Sequence, residues 1–373
     1  MSVRAVLVKV HLWVGLVAAP VLLVVGLTGA LLVVEGPITD RLDAATALVE
    51  PKGAPLSVAE LLASVRKVRP GADLLAVQLP RDSRHSAALV VSAGPEEGAE
   101  TVLVDPYTAR VLGVPPSQPP FFQRVRQLHR QLLLGPYGNT VVVWTALALA
   151  FLAVTGPVVW WPRRRVGVRW QRAGWRRVLD VHALLGAISC AFLFMFAVTG
   201  AVVHWDDGVQ SFLGRLTGNA SPRPPRNLGT SKCGADAMLD ADRLIAAAMA
   251  TLPGARVTAL QLPGARVAAL QRPGAGANIA RLSLKFPEDH TPNGRSILLM
   301  DRCTGRAAFT IDTRSAPLSY LYPREWNREL HTGDIFGWPS LVLVFAFSLG
   351  LCVMGVTGPL VWLMKTREAR SRA

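Results

Sequence analysis

Charge is scarce in this chain. Only 17% of its 373 residues are Asp, Glu, Lys or Arg, while 51% are hydrophobic. Mean hydropathy is +0.33, too apolar a balance for an ordinary soluble domain of this length. The same balance excludes intrinsic disorder. Four cysteines are too few to staple so long a chain, and no Cys-x-x-Cys-His run offers covalent haem attachment. A Gly-x-y period is missing, which excludes a collagen-like fibre. Missing too are a Walker loop, a G-x-G-x-x-G after a strand, a G-x-S-x-G elbow and an H-E-x-x-H pair. Carboxylates are outnumbered, 25 acidic against 40 basic residues for a net charge of +15, and where that excess sits decides its meaning.

Four stretches contain no charged residue and are long enough to cross a bilayer core of about 30 Å: Leu12–Val34, Thr140–Trp161, Ala183–Trp205 and Trp338–Met364. The first exceeds the short apolar region of a signal peptide, and no A-x-A site follows Gly29, so it is expected to be retained as a span. Arg4 and Lys9 precede it. Arg163, Arg164, Arg165, Arg169, Arg172, Arg176 and Arg177 fill the loop between spans two and three, and Lys365, Arg367, Arg370 and Arg372 close the chain. The positive-inside rule therefore predicts cytoplasmic termini and a cytoplasmic Arg-rich loop. The excess charge reads as topology in a lipid bilayer, and no nucleic-acid partner is expected.

The expected organisation is span one in 1–34, an outer domain in 35–120, a pre-span helix and span two in 121–161, the Arg-rich loop in 162–177, span three in 178–205, a second outer domain in 206–323, a pre-span helix and span four in 324–364, and a tail in 365–373. In the first outer segment Leu56–Val68 has helical spacing, followed by strand-like Leu74–Leu79, Ala87–Ser92 and Thr101–Val104. In the second, Ala237–Thr251 is followed by Val257–Leu262, Ile279–Phe286 and Ser296–Met300. Both predict small α+β domains. Pro115–Pro120 and Ser221–Arg226 read as connectors, and Leu252–Gln261 is echoed by Leu262–Gln271 with no function assigned.

The whole chain is also duplicated. His11-x3-Gly15 matches His182-x3-Gly186, and each His is followed at the same spacing by Thr-Gly-Ala, Thr28–Ala30 and Thr199–Ala201. Arg126-Gln-Leu-His129 answers Arg328-Glu-Leu-His331, and each leads to a Thr-Gly-Pro-x-Val-Trp tail starting at Thr155 or Thr357. Asp105–Arg110 and Asp301–Arg306 share a turn-like signature. Both copies enter from the cytoplasm, so a pseudo-twofold along the membrane normal is expected. It would set His11 against His182 near the cytoplasmic surface and His129 against His331 near the outer one.

Paired imidazoles on opposite sides of a plane are the axial ligand set of a low-spin haem iron. Gly15 and Gly186, one turn after their histidines, would leave room for a flat macrocycle, and Arg126 and Arg328, one turn before theirs, could hold propionates. Taken singly, each such residue has a plainer reading: an interfacial polar tip for a histidine, helix packing for the glycines and Thr-Gly pairs, lipid phosphate for the arginines. Recurrence in matched positions favours ligation. His204 has no counterpart in span one and stands as a reserve ligand, while His85 and His290 read as solvated. Any haem would be b-type. Cys190 and Cys352 read as packing residues; Cys233 and Cys303 share one outer domain and could form a disulfide. No span carries an internal charge of the kind an ion-coupled transporter needs.

At His11-Leu-Trp-Val-Gly15, Leu27–Ala30, Leu128-His129, Pro157–Arg163, His182–Gly186 and Leu330–Gly333 the chain resembles the PepSY-associated transmembrane family, bacterial inner-membrane proteins that include ferric-siderophore reductases. The resemblance implies an α-helical integral membrane protein with four transmembrane helices in two repeats, each carrying a periplasmic α+β PepSY-like domain. It implies two haem b groups on His11, His129, His182 and His331, with electrons passing outward to a ferric siderophore. The donor would be a membrane quinol or a cytoplasmic reductase. Where many relatives have a second histidine after Leu-His, this chain has Arg130. Two other functions stay open: a non-catalytic anchor regulating a periplasmic peptidase or other partner, and a haem or metal carrier.

Overall fold

The computed structural model describes residues 2–42, 47–92, 98–114, 120–161, 167–225, 228, 231–263, 278–291 and 293–372. Arg163, Arg164, Arg165, the connector at 115–119, Arg226 and most of the second copy of the short duplication lie outside them. The chain divides into two compact units, one from 1–36, 119–209 and 326–373, the other from 37–118 and 210–325.

The first unit is helical. Its long helices are α1 (Val3–Val33), α5 (Gly135–Trp160), α6 (Trp175–His204) and α11 (Trp338–Arg370), all long and apolar enough to cross a membrane. In hydrocarbon every peptide group must be satisfied within its own segment, which is why uninterrupted apolar runs become helices. α1 packs on α5 and α11, and α6 packs on the same two, so the four close into a ring. Ala18, Leu22, Leu149, Leu193, Ala197 and Leu351, drawn from all four helices, fill its middle. Small residues let the backbones approach: a Cβ on Gly26 of α1 would stand 3.2 Å from the Ser348 carbonyl oxygen of α11. Two short helices dock at one end. These are α4 (Pro120–Gln131), against α1 and α5, and α10 (Asn327–Thr332), against α6 and α11.

The second unit is a sheet with helices on one face. It contains α3 (Val58–Val68), β1 (Asp73–Gln78), β2 (Ala87–Ser92), β3 (Ala99–Val104) and β4 (Val111–Gly113) from the first outer segment. The second outer segment gives α8 (Ala241–Thr251), β5 (Arg256–Gln261), β6 (Ile279–Lys285), β7 (Ser296–Asp301) and β8 (Ala307–Ile311). α2 (Glu35–Leu42) and α7 (Asp206–Thr217) leave spans one and three, and α9 (Leu318–Leu321) and a π-helical turn at Tyr322–Trp326 lead back to α10. The expected helices and strands are present to within a few residues, and the short strands β4 and β8 are additional.

One expectation changes. The two outer segments do not make two separate domains but one antiparallel sheet in the order β4-β3-β2-β1-β5-β6-β7-β8. The seam pairs Ala76 with Gln261, Val77 with Leu260 and Gln78 with Ala259. Apart, β1 and β5 would each expose an unpaired edge, and joining them satisfies both. One core spans the seam, with Leu61, Val65, Leu89 and Val104 beside Leu244, Leu260, Leu282 and Met300. α3 starts with a capping box of Ser57 and Glu60, and Asp242 of α8 accepts from its Val58 and Ala59 amides at 2.8 and 2.9 Å.

The two Asp turns fold alike. Asp105 Oδ1 accepts from the Tyr107 amide at 2.9 Å and Asp301 Oδ1 from the Cys303 amide at 2.7 Å. The residue closing each turn is left-handed, Ala109 at φ 54° and Gly305 at φ 69°. Cys233 and Cys303 are disulfide-bonded with Cα atoms 5.8 Å apart; Cys190 and Cys352 are free.

Candidate histidine-pair sites

The helical unit places the four span-associated histidines in one repeated arrangement. Nδ1 of His11 on α1 meets the Thr155 hydroxyl of α5 at 2.8 Å. Nδ1 of His182 on α6 meets Thr357 of α11 at 3.0 Å. At the other end, His129 on α4 meets Thr28 of α1 at 3.0 Å, and His331 on α10 meets Thr199 of α6 at 2.9 Å. Thr28 and His11 share one helix seventeen residues apart, so the two levels stand about 25 Å apart along it, most of the thickness of a bilayer core. The apolar plug of Leu22, Leu149, Leu193 and Leu351 lies between them.

The hydroxyls have spent their protons. Thr28, Thr155, Thr199 and Thr357 donate to the carbonyls of Val24, Phe151, Met195 and Val353 at 2.7, 2.8, 2.7 and 2.8 Å. A hydroxyl has one proton, and with that proton given to the helix carbonyl its oxygen accepts toward the histidine, which places the hydrogen on Nδ1. The His129 Nδ1 also lies 3.1 Å from the Val25 carbonyl, which can only accept. A neutral imidazole protonated at Nδ1 presents its lone pair at Nε2.

His129 and His331 come together. The rings of His129 and His331 stand 6.3 Å apart, centre to centre. With metal–nitrogen bonds of about 2.0 Å and roughly 1.1 Å from nitrogen to ring centre, two imidazoles on opposite sides of one metal are separated by about 6.2 Å. His11 lies within electrostatic range of His182. All four rings are half-buried, while Thr28, Thr155 and Thr199 beneath them are buried. No group of three or more His, Cys, Asp or Glu side chains gathers at metal-binding range among the described residues. Each pair supplies two nitrogen donors, so a metal held there takes its remaining donors from a group it brings with it, as the iron of a macrocycle does. The donor set and the His129–His331 spacing fit a haem.

The glycines are placed differently from the sequence reading. A Cβ on Gly29, Gly156, Gly200 or Gly358, each the Gly of a Thr-Gly, would stand 3.3, 3.6, 3.3 or 3.4 Å from Cε1 of the histidine its threonine holds. Gly15 and Gly186 instead face Leu152 and Met354 at 3.8 and 3.7 Å. Side chains on a helix lean toward its N-terminus, so a histidine leans away from the residue one turn later. Sequence spacing marked the Thr-Gly pairs but assigned them to packing. Only the neighbouring helix reveals them as histidine cradles.

The remaining candidates divide. Arg126 is ion-paired with Glu35, and Arg328 is exposed. His204 is exposed and bonds Asn139 Oδ1 at 3.0 Å. His85 lies in the sheet unit between Arg81 and Asp82, and His290 is exposed. Unanticipated is Asn327, fully buried, one turn before His331. Its Nδ2 donates to the Thr199 carbonyl at 3.0 Å, so α10 is fastened to Thr199 at two points.

A family profile described as PepSY-associated TM region matches residues 8–365. No curated protein matches the chain.

Proposed function

This chain belongs to the PepSY-associated TM family, and from that premise we propose that it is a di-haem electron-transfer protein of the bacterial inner membrane that reduces ferric siderophore in the periplasm. The observation that carries the reading is the fourfold His–Thr contact, which engages Nδ1 of every span-associated histidine and leaves Nε2 as the nitrogen available to a ligand. The two repeats are related by a pseudo-twofold along the membrane normal. Both termini and the Arg-rich loop are cytoplasmic and the sheet unit is periplasmic, as the flanking charges require.

His11 and His182 would hold the inner haem b, and His129 and His331 the outer one. A haem held by two imidazoles supplies a one-electron couple. The chain's own groups do the rest. The threonines fix each ring's tautomer and direction, the adjoining glycines leave the rings room, and the leucine plug keeps water out of the space between the levels. Arg328, exposed beside His331, is the nearer candidate for a propionate, since Arg126 is engaged by Glu35. Electrons would come from a membrane quinol or a cytoplasmic reductase. Siderophores hold ferric iron far more tightly than ferrous, so one electron loosens the chelate.

An anchor for a periplasmic regulator would use the sheet unit but leaves four identical His–Thr contacts without purpose. A haem or metal carrier would use the histidines without turnover. Rapid mixing of the dithionite-reduced protein with a ferric siderophore separates the readings. Reoxidation that is lost in His129→Ala and His331→Ala at unchanged folded yield is expected. A reduced protein that no ferric chelate reoxidises points to the carrier, and a protein without haem to the anchor.

A further inference from the structure

We infer that Thr28, Thr155, Thr199 and Thr357 are positioning residues that set the tautomer of the four histidines before any ligand arrives. The argument deepens the reading above, but its geometry stands without it. Each hydroxyl lies between the same two groups, the carbonyl four residues back on its own helix, to which it can donate, and Nδ1 of a histidine on another helix. A threonine in a helix ordinarily back-bonds that carbonyl and turns its methyl outward. Here the back-bond anchors the hydroxyl rotor, leaving its oxygen as a directed acceptor.

Left alone in an apolar bundle, a neutral imidazole could carry its proton on either nitrogen, and the form protonated at Nε2 would be unable to ligate through that atom. The threonine removes the choice, helped by a main-chain carbonyl at His129 (Val25), His182 (Met354) and His331 (Phe196), whereas at His11 the Thr155 hydroxyl acts without such a carbonyl among the described residues. Partners of this kind behind a metal-binding histidine fix ring orientation and strengthen the ligand, and losing one costs 10–100-fold in metal affinity. The following glycine completes the cradle, because a methyl there would reach the same ring at its Cε1 edge.

The four cradles differ in strength. At Thr199 the main-chain carbonyl also receives the Asn327 amide at 3.0 Å, so the helix carrying His331 is held to that threonine by both Asn327 and His331. The matching position before His129 is Val125, which has no amide to offer. His331 thus has one fastening that His129 lacks.

The test is made on the full-length protein purified without cofactor and labelled with nitrogen-15 at histidine, with Thr155→Val and Thr155→Ser beside it and His11→Gln to assign the resonance, because at His11 no main-chain carbonyl backs up the hydroxyl among the described residues. Nitrogen shifts and proton couplings report the tautomer directly. The expected result is a His11 protonated at Nδ1 only, retained in Thr155→Ser and lost to a mixed population in Thr155→Val. A mixed population in the unaltered protein, or an unchanged tautomer in Thr155→Val, overturns the inference. Where the protein is recovered only with haem bound, the same pair is read by haem retention, expected to fall 10–100-fold in Thr155→Val and to stay near the unaltered value in Thr155→Ser. Equal retention in both overturns it. A protein with fixed tautomers that never binds haem would instead refute the function proposed above and leave this inference standing.

Discussion

Alanine placed in turn at the four cradle glycines should separate helix stability from histidine geometry. Each glycine sits inside a long helix, where alanine is favoured by about 0.8–1.0 kcal/mol, so the backbone alone predicts a slightly more stable bundle in every case. The new methyl would stand 3.3 Å from a histidine carbon at positions 29 and 200, 3.4 Å at 358 and 3.6 Å at 156. Optimal carbon–carbon separation is about 3.5–4.0 Å. At 156 the methyl therefore makes an ordinary contact, while at 29 and 200 the ring must retreat by a few tenths of an ångström, roughly what a metal bond tolerates. Gly156→Ala should leave haem content and spectrum unchanged. Gly29→Ala and Gly200→Ala should melt no lower than the parent in detergent yet lose haem from the outer site and weaken the low-spin reduced band. Valine at position 200 should abolish that site. The assay is a thermal melt paired with a pyridine haemochrome count on the same sample. Equal damage at 156 and 200, or haem loss that tracks the melting temperature, would refute the reasoning.

The sheet unit offers three independent checks. Ala109 holds φ 54° where the other repeat has Gly305, so Ala109→Gly should stabilise by about 1 kcal/mol; Gly305→Ala should destabilise by more, since its Cβ would also stand 2.9 Å from Leu239 Cδ1, and urea denaturation reads both. The Cys233–Cys303 bond closes a separation of 70 residues, and replacing both cysteines by serine should cost about 4 kcal/mol by chain entropy, visible as a lower melting temperature that reductant no longer changes. Burial works to raise the Asp105 carboxyl, but hydrogen bonds from Thr108 and Tyr107 outweigh it and hold the group below its ordinary value. A depressed carboxyl adds stability above its unfolded pKa, near 3.9, and loses it as pH falls through the folded value; Asp105→Asn should therefore flatten the acid limb of a stability profile below about pH 4 and leave its shape near pH 7 unchanged.

Much of this architecture is written locally. Apolar runs without charge mark the spans, a short apolar run marks β2 and alternation marks β6, and the Asp turns announce themselves twice, because each depends on residues close in sequence. The seam between β1 and β5 joins Val77 to Leu260, and neither strand's pattern encodes a partner so distant. The strands β4 and β8 follow their Asp turns at once and are too short, three and five residues, for alternation to mark them. At the sites, spacing put the four histidines and the four Thr-Gly pairs in view, and it paired His129 with His331. It could not say which helix lies beside which. Thr28 is therefore understood only once α4 is seen against α1, and Gly15 only once Leu152 is seen to face it.

The most direct test of the account is the absorption spectrum of the purified protein, oxidised and dithionite-reduced, with a pyridine haemochrome count per chain. Two b-type haems per chain, with the sharp reduced band of bis-histidine ligation that loses one haem in His331→Ala and the other in His182→Ala, is the predicted result. A protein that carries no haem, even after reconstitution, would contradict it.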